Sequence, residues 1–568
     1  MIDKEARRRF LAAFAGSSLL PGVLWARLQE SGEPEVSELM LAGAARVAGL
    51  DFTEEERRDM VATVNKNLKN YEKTRAVALP FTVAPPLYFN PVVPGTSPVG
   101  ARRPFRPIAA PRVFRPGNLE EAAFWPVTQL AALLESRQVS SRELTELYLE
   151  RLKRHDSRLQ CVITLTEGLA MDQARRADEE IAAGRYLGPL HGIPWGAKDL
   201  IAKSGYKTTW GSEAFRDQVI DMDATVMTRL EEVGSVLVAK LTTGELARGD
   251  RWFSGRTRNP WNPEEGSGGS SAGPGSATAA GLVGFSLGTE TLGSIVGPSR
   301  TCGVTGLRPT YGRVSRHGVM PAAWSLDKVG PMCRSAEDCA LVLSAIAGPD
   351  GWDLSLADEP FDWDPGLDVT RLRVGYLADA FSEERTNEAA SKENDDRALA
   401  VLRSLGIELT PISLPAHADM DALMMLLVEE AAALDELTRS GRDELLIKDR
   451  DEPEAMLLRA HRLVPGVEYF QMSRVRMRLM EGMARLFENL DAYVAPFLTP
   501  SGDRNLRATN ATGHPGLAVP TGFNARGMPT SMHLVGNLYG ETALLALAKA
   551  YQDATTHHHR HPEILDLR

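Results

Sequence analysis

This sequence of 568 residues has little cysteine and no excess of basic charge. The formal net charge is −11, with 64 lysines and arginines against 75 aspartates and glutamates, and no long basic stripe is present. A nucleic-acid partner is therefore not expected. The four cysteines form no Cys-x-x-Cys pair and are too few for a disulfide framework. We predict buried thiols at Cys161, Cys302, Cys333 and Cys339.

Metal-binding and cofactor-binding patterns are also missing. The sequence has no His-Glu-x-x-His pair, no cluster of cysteines and histidines, and no glycine fingerprint for a dinucleotide or a nucleoside triphosphate. We therefore expect neither a metal nor a cofactor. The C-terminal tail, residues 556–568, carries four histidines that could bind a metal only adventitiously: His557, His558, His559 and His561.

Residues 1–30 read as a leader or an N-terminal helix. Arg7, Arg8 and Arg9 precede a moderately apolar stretch that begins at Phe10. This arrangement resembles a twin-arginine export signal, which implies an exported, periplasmic or membrane-anchored protein with membrane contact through the leader. The alternative is an amphipathic helix that packs on the protein or on a membrane surface. If the leader is not used, we expect a cytoplasmic protein.

Two further segments precede the main body of the chain. Residues 35–75 predict a small helical extension, because Thr53 and Glu56 have the spacing of a capping box. Residues 76–120 are proline-rich, since ten of the 35 prolines lie between Pro80 and Pro116. Such a composition favours an extended strap without a core of its own.

From about residue 124 onward, helices and strands alternate. SSRELTELYLERLKR has helical spacing with Ser141 near its start, whereas CVITLT (161–166) and SVLVAKL (235–241) have the composition of strands. Alternating helices and apolar strands imply a layered α/β fold.

A glycine- and serine-rich stretch, residues 266–299, needs a separate explanation. A flexible linker would be polar throughout, but here the apolar run GLVGFSLG predicts a buried strand between two serine-bearing loops. Ser270 and Ser294 lie in these loops. A serine hydroxyl needs a base to become a nucleophile, and the scattered histidines offer no obvious one. Lys198, in GPLHGIPWGAKDL, is the other candidate base, because burial lowers the pKa of a lysine.

Several motifs together resemble one known family. GIPWGAKD, GSGGSSAG, GTETLGSIVGPS and CGVTGLRPTYGRVSRHGVMP match the amidase signature family in order and spacing, and TRNPWNP and NATGHPGLAVPTGF extend the match. The resemblance covers about residues 124–555. It implies the amidase signature fold, an α/β architecture with a large mixed central β-sheet flanked by helices.

The resemblance also implies a Ser–cisSer–Lys triad. Ser294 would be the nucleophile, Ser270 the bridging serine behind a cis peptide bond, and Lys198 the neutral base. The oxyanion hole would be formed by the backbone N–H groups of Thr291, Leu292, Gly293 and Ser294.

Three positions in this turn depart from the family pattern. Glu290 replaces an aspartate, Leu292 replaces a glycine, and Val296 replaces an arginine. Leu292 narrows the conformations open to the oxyanion loop, and Val296 removes a cation close to the site. These changes leave the triad intact but bear on the local geometry and the substrate.

The expected function is that of an amidase, a hydrolase of linear carboxylic amides. The same acyl-enzyme chemistry would extend to aryl amides, esters or carbamates. Leu246 and Ala247 match positions that line the acyl pocket in relatives, and with Ser270 they would contact the small-molecule substrate. The alternative for Leu246 and Ala247 is packing in the core. A homodimer would fit the family.

Two other functions remain open at this stage. The chain could be a glutamine-amidohydrolysing A subunit of a tRNA-dependent amidotransferase, although an export-like leader argues against that function. VAGLDFTEEERRDMVATVNKNLKNYEK loosely resembles the small C subunit of the same enzymes, or is an unrelated helical extension. The other alternative is a non-enzymatic scaffold that retains the fold.

Overall fold

A computed structural model of the chain describes residues 36–75, 82, 87–94, 96, 106, 111–385, 391–419, 422–449 and 453–563. The predicted leader at 1–30 and part of the predicted strap at 76–120 lie outside these residues. The described residues divide into two units, one that contains residues 36–75 with 463–465 and one that contains the others. Among the described helices, none has both the length and the apolar character that crossing a bilayer requires.

The described part of the first unit is a pair of helices, α1 (Glu38–Val47) and α2 (Glu54–Arg75). At the start of α2, the Thr53 N–H donates to Glu56 Oε2 at 2.7 Å and the Glu56 N–H donates to Thr53 Oγ1 at 3.3 Å. Because two N–H groups that lack a partner inside the helix are satisfied in this way, the helix begins at this point. The predicted capping box is confirmed.

The second unit is built on a large sheet. Over the described residues the sheet has eleven strands. They are β1 (Val162–Leu165), β2 (Pro194–Lys198), β3 (Val236–Leu241), β8 (Phe285–Glu290), β9 (Thr305–Arg308), β10 (Lys328–Cys333), β11 (Val374–Leu377), β12 (Leu409–Ile412), β13 (Ala492–Pro496), β14 (Gly516–Phe523) and β15 (Pro529–Gly536). Two small hairpins complete the strands: β4 (Arg251–Trp252) with β5 (Gly255–Arg256), and β6 (Arg258–Asn259) with β7 (Asn262–Gly266).

The order of strands across the sheet is β1-β3-β2-β8-β10-β9-β14-β15-β13-β11-β12. Strands β3, β2 and β8 run parallel, as do β13, β11 and β12, whereas the other neighbours pair antiparallel. The sheet is therefore mixed, as the resemblance implied.

Helices flank this sheet. Over the described part of the second unit they are α3 (Val127–Glu135), α4 (Ser141–Leu159), α5 (Glu167–Ala182), α6 (Thr225–Glu232), α7 (Ala272–Ala279), α8 (Val296–Cys302), α9 (Ala336–Ile346), α10 (Ala378–Ser382), α11 (Lys392–Ser404), α12 (Ala422–Ala433), α13 (Asp435–Arg439), α14 (Glu454–His461), α15 (Gly466–Phe487), α16 (Pro500–Ala511) and α17 (Glu541–Asp553). The predicted α/β fold class is confirmed.

Local sequence signals place most element ends within a few residues. The capping box of α4 uses Ser140 rather than Ser141, with Glu143 as its partner. Strand β8 begins at Phe285, so only the second half of the run GLVGFSLG is a strand. The first half leaves α7 through Gly281, whose φ of 67° would strain a residue with a side chain.

Side chains from neighbouring strands and helices pack together in the core of the second unit. Trp195 on β2 and Phe285 on β8 lie opposite each other in register, and their rings stack with centroids 5.8 Å apart. All four cysteines are buried and free, which confirms the prediction of buried thiols.

Candidate active site

Lys198 lies at the end of a strand that leads into the candidate site. It is the last residue of β2, and β8, its parallel neighbour, ends at Glu290 on the same edge of the sheet. The loop that follows β8 carries Ser294, and the loop between β7 and α7 carries Ser270. The Ser271 N–H donates to the Ser294 carbonyl at 3.2 Å, which ties the two serine-bearing loops together.

The amine of Lys198 is completely buried among hydroxyl groups. Its Nζ lies 2.8 Å from Ser270 Oγ and 2.8 Å from Thr289 Oγ1, with the Thr289 carbonyl at 3.4 Å. Burial lowers the pKa of Lys198 well below its usual value, and the nearby charges of Asp327 and Glu290 oppose that shift only in part. The neutral amine, with a free lone pair, is therefore favoured here.

Ser270 is held by a tight backbone approach. The peptide bond between Gly269 and Ser270 is cis, and the Ser270 carbonyl accepts a hydrogen bond from the Gly244 N–H at 3.2 Å. A Cβ atom at Gly269 would lie 1.8 Å from the Gly249 carbonyl oxygen, so no other residue fits at that position without moving the backbone.

Ser294 is only partly buried and lies on a cavity of about 240 Å³. Ser270, Thr291 and Leu292 line the same cavity. Gly293, between Leu292 and Ser294, has a φ of 106°, a conformation that side chains disfavour. The structure therefore brings the two predicted serines, the predicted base and the predicted oxyanion loop to one place.

Glu290 anchors the turn that follows β8. Its Oε2 accepts hydrogen bonds from the N–H groups of Ile295 at 2.8 Å and Val296 at 3.0 Å. Its Oε1 accepts from Arg308 Nη1 at 2.8 Å and from Asn510 Nδ2 at 2.9 Å. Both sides of the turn are thereby fixed to one buried carboxylate.

Arg308 supplies the charge that keeps this carboxylate ionised. Burial alone would raise the pKa of Glu290, but the charges of Arg308 and Lys328 and the hydrogen bonds outweigh it and hold the pKa at about 2. Sequence reasoning noted that Val296 removes a cation and did not foresee that Arg308 brings one from β9. The arginine in GLRPTYG was the available signal.

Leu246 and Ala247, the two residues proposed for the acyl pocket, lie in different environments in the structure. Ala247 lines the cavity beside Ser294. Leu246 is completely buried in the main hydrophobic core, and its N–H donates to the Trp210 carbonyl at 2.9 Å. Leu246 thus packs the core behind the site, whereas Ala247 is placed where a substrate could contact it.

A second cavity, of about 270 Å³, adjoins the first. Ala247, Thr291 and Ala322 line both cavities. Thr289, the hydroxyl partner of Lys198, also lines the second one. Sequence reasoning missed this cavity, because its walls come from segments far apart in the chain.

Comparisons with known proteins show which family the sequence matches. The sequence profile of the amidase family matches residues 143–545. The chain belongs to the amidase signature family. Curated relatives include the A subunits of the glutamyl-tRNA(Gln) amidotransferases of Moorella thermoacetica, 35% identical, and Methylococcus capsulatus, 36% identical. Each match covers 77% of this chain and 98% of the relative.

Solved structures of family members share the fold. The native peptide amidase of Stenotrophomonas maltophilia is 31% identical with a TM-score of 0.68, over 76% of this chain and 97% of its own. A second solved structure is an inhibitor-bound complex that bears on the evolutionary origins of an s-triazine catabolic enzyme. It is 27% identical to this chain with a TM-score of 0.70, over 76% of this chain and 98% of its own. The solved structures that this chain resembles thus include a peptide amidase.

Removing the Glu290 carboxylate should destabilise the chain and loosen the backbone of the turn that it binds. Glu290→Ala should lower the free energy of unfolding by about 3–5 kcal/mol, because it leaves the Arg308 guanidinium buried without its partner. It should also speed hydrogen exchange at the amides of Ile295 and Val296, measured by mass spectrometry. Glu541→Ala is the matched control, since Glu541 pairs with the buried Arg313 at 2.9 Å. It should destabilise the chain without changing exchange in this turn, and equal exchange in both variants would contradict the assignment.

Proposed function

We propose that the chain hydrolyses a carboxylic amide to an acid and an amine through an acyl-enzyme on Ser294. One observation carries this proposal: a buried amine, Lys198 Nζ, lies 2.8 Å from the hydroxyl of Ser270 in the site that also holds Ser294. A neutral amine next to a serine hydroxyl is the base that a serine nucleophile requires.

The first half of the reaction forms the acyl-enzyme. Ser294 Oγ attacks the carbonyl carbon while its proton passes to Ser270, whose own proton passes to Lys198. The developing oxyanion accepts hydrogen bonds from N–H groups of the loop 291–294, which is fixed from behind by Glu290. The proton then returns along the same path to the amide nitrogen, the C–N bond breaks, and the amine leaves.

The second half releases the acid. Water attacks the ester on Ser294, and Lys198 again takes up the proton through Ser270. The tetrahedral intermediate collapses, the bond to Ser294 Oγ breaks, and the returning proton restores the serine hydroxyl. Esters and carbamates could enter the same cycle, because only the leaving group differs.

A neutral amide fits the adjoining cavity better than a zwitterion. The charged groups that line it have partners inside the protein: Arg316 binds Asp353 at 2.8 Å, and Lys328 donates to Asn510 at 2.7 Å. A substrate with a free ammonium and a free carboxylate would have to compete with these pairs. This favours uncharged linear amides.

Glutamine hydrolysis as an amidotransferase A subunit is the second candidate function. The support for it is the match to the A subunits of glutamyl-tRNA(Gln) amidotransferases over 98% of their length. Under this candidate the amide is that of glutamine, and the ammonia passes to a partner.

The triad assignment predicts unequal losses of activity. Ser294→Ala should abolish amine release, and Ser270→Ala and Lys198→Ala should each lower kcat about 10²- to 10⁴-fold, the range of general acid–base catalysis. Ser276→Ala is the control, because this buried serine donates to the Arg258 carbonyl at 2.8 Å and does not line the cavity beside Ser294. Release of ammonia or amine is measured for all four. Near-normal turnover by Ser294→Ala would refute the assignment.

The pH dependence follows from the base. Lys198 accepts a proton only when neutral, so kcat/KM should fall as the pH drops through its pKa and level off above it. Because burial lowers that pKa, the plateau should begin well below pH 10.5, the ordinary value for lysine. A profile that still rises at pH 10.5 would mean that the amine is not desolvated in solution.

The two candidate functions are separated by the substrate. The isolated chain should hydrolyse small neutral amides with a higher kcat/KM than glutamine, because of the paired charges in the cavity. Ammonia release from both is measured in parallel, with Ser294→Ala as the blank. Turnover of glutamine alone, or activity only after a B-type amidotransferase subunit is added, would instead favour the second candidate.

A further inference from the structure

The second cavity adjoins the serine site. Its volume is about 270 Å³, and Ala247, Thr291 and Ala322 line both cavities. A group attached to an amide at Ser294 would therefore lie close to the second cavity. A dry cavity of about 150 Å³ is already enough for a benzene ring, so this one has room for a ring and a short linker.

Several aromatic side chains line the cavity. Tyr311, Trp324 and Trp352 line it, and the His317 ring stacks on Trp352 with centroids 5.1 Å apart. The Tyr311 hydroxyl is used internally, since it donates to the Trp324 carbonyl at 2.7 Å. The cavity lining thus includes aromatic rings, and the Tyr311 hydroxyl among them is already bonded within the protein.

The carboxylates in the walls are also occupied. Asp327 accepts hydrogen bonds from Thr291 Oγ1 at 2.7 Å and from the N–H groups of Ala322 and Ala323 at 2.8 and 2.9 Å. Asp353 accepts from Arg316 Nη2 at 2.9 Å. A charged ligand group would have to compete for these carboxylates, whereas a neutral ring needs no charged partner.

Large apolar side chains surround the cavity mouth and are exposed. Leu87 is 71% and Tyr88 57% exposed, and on another segment Trp352 is 70% and Leu354 65% exposed. We call these four residues the rim. Isolated exposed apolar residues are common, but four around one cavity mark a site for an apolar ligand.

The segment that carries Leu87 and Tyr88 is anchored beside the cavity. The Phe89 ring meets Tyr311 edge-on with centroids 5.0 Å apart, and the Arg476 guanidinium lies 3.4 Å from the Phe89 ring centroid. Pro91 is buried next to Gly513. This anchoring fixes the two rim residues although they themselves face solvent.

We propose that the substrate carries a neutral aryl group that occupies this cavity, and that the rim residues determine this specificity. The inference rests on the proposed amide hydrolysis at Ser294 and narrows it to aryl-bearing amides. The N-terminal segment 87–91 thereby becomes part of the substrate site of the catalytic unit.

The test compares three amides that differ in whether they carry an aromatic ring and on which side of the amide it lies. Acetamide has no ring, phenylacetamide carries the ring on the acyl side, and acetanilide carries it on the amine side. At least one aryl amide should exceed acetamide in kcat/KM by tenfold or more, and the better of the two identifies which side of the amide faces the cavity. In Leu87→Ala/Tyr88→Ala and in Trp352→Ala/Leu354→Ala, that ratio should fall at least tenfold, mainly through KM.

The control removes exposed apolar groups elsewhere. Leu187 is 42% and Phe114 81% exposed, and neither lines the cavity. Leu187→Ala/Phe114→Ala should leave the aryl-to-acetamide ratio unchanged. An unchanged ratio in both rim variants, or no preference for either aryl amide in the wild type, would overturn the specificity assignment.

Binding without turnover separates this inference from the proposed function. In the Ser294→Ala background, calorimetry should show binding of the better aryl amide, with Kd at least tenfold higher when the rim is truncated. If the wild type hydrolysed none of the three amides, the proposed function would fail. Rim-dependent binding would then still support the cavity as an aryl site, whereas absence of binding would overturn it.

Discussion

The amine of Lys198 is buried away from water, and the partners that it contacts are hydroxyl and carbonyl oxygens rather than a carboxylate. Burying an ammonium group costs several kcal/mol unless a counter-charge compensates, so the environment favours the uncharged amine. The contrast with Lys240 on the neighbouring strand β3 is direct, because Lys240 is equally buried but lies 2.7 Å from the Asp199 carboxylate. Lys198 instead meets the hydroxyls of Ser270 and Thr289. The proposed chemistry depends on this difference between two buried lysines.

A second network holds the loop that faces this amine. Glu290 ends β8 and binds backbone N–H groups on the far side of the turn, while Arg308 and Asn510 bind the same carboxylate from other elements. The turn is thus fixed from behind, which leaves its cavity-facing side for substrate. The departures at Glu290 and Val296 are in direct contact, because the Val296 N–H donates to the Glu290 carboxylate. The Val296 side chain packs in a small apolar cluster with Phe497 and Ala518.

Local signals in the sequence predicted several elements of the fold. The capping box at Thr53, the strand at 162–165 and the helix that begins at Ser141 follow from residue patterns a few positions long. The contact between Lys198 and Ser270 was predicted only through the resemblance to the family. The two residues are 72 positions apart, and no local sequence pattern links residues at that separation.

Long-range pairings were beyond the sequence. Arg308 reaches Glu290 from β9 although β10 lies between their strands, so no local pattern announces the pair. The second cavity joins the segment around Tyr88 to the loop around Trp352, and only the folded backbone brings these together. Leu246 illustrates the converse, because a position aligned with a pocket residue turned out to pack the core.

Intact mass after treatment with a fluorophosphonate tests the central claim most directly. We expect a single adduct on the wild-type chain and none on Ser294→Ala, because only a serine activated by Ser270 and Lys198 displaces the fluoride. An adduct of equal yield on Ser294→Ala would show that another residue is the nucleophile. No adduct on the wild type would show that Ser294 is not activated in the isolated chain.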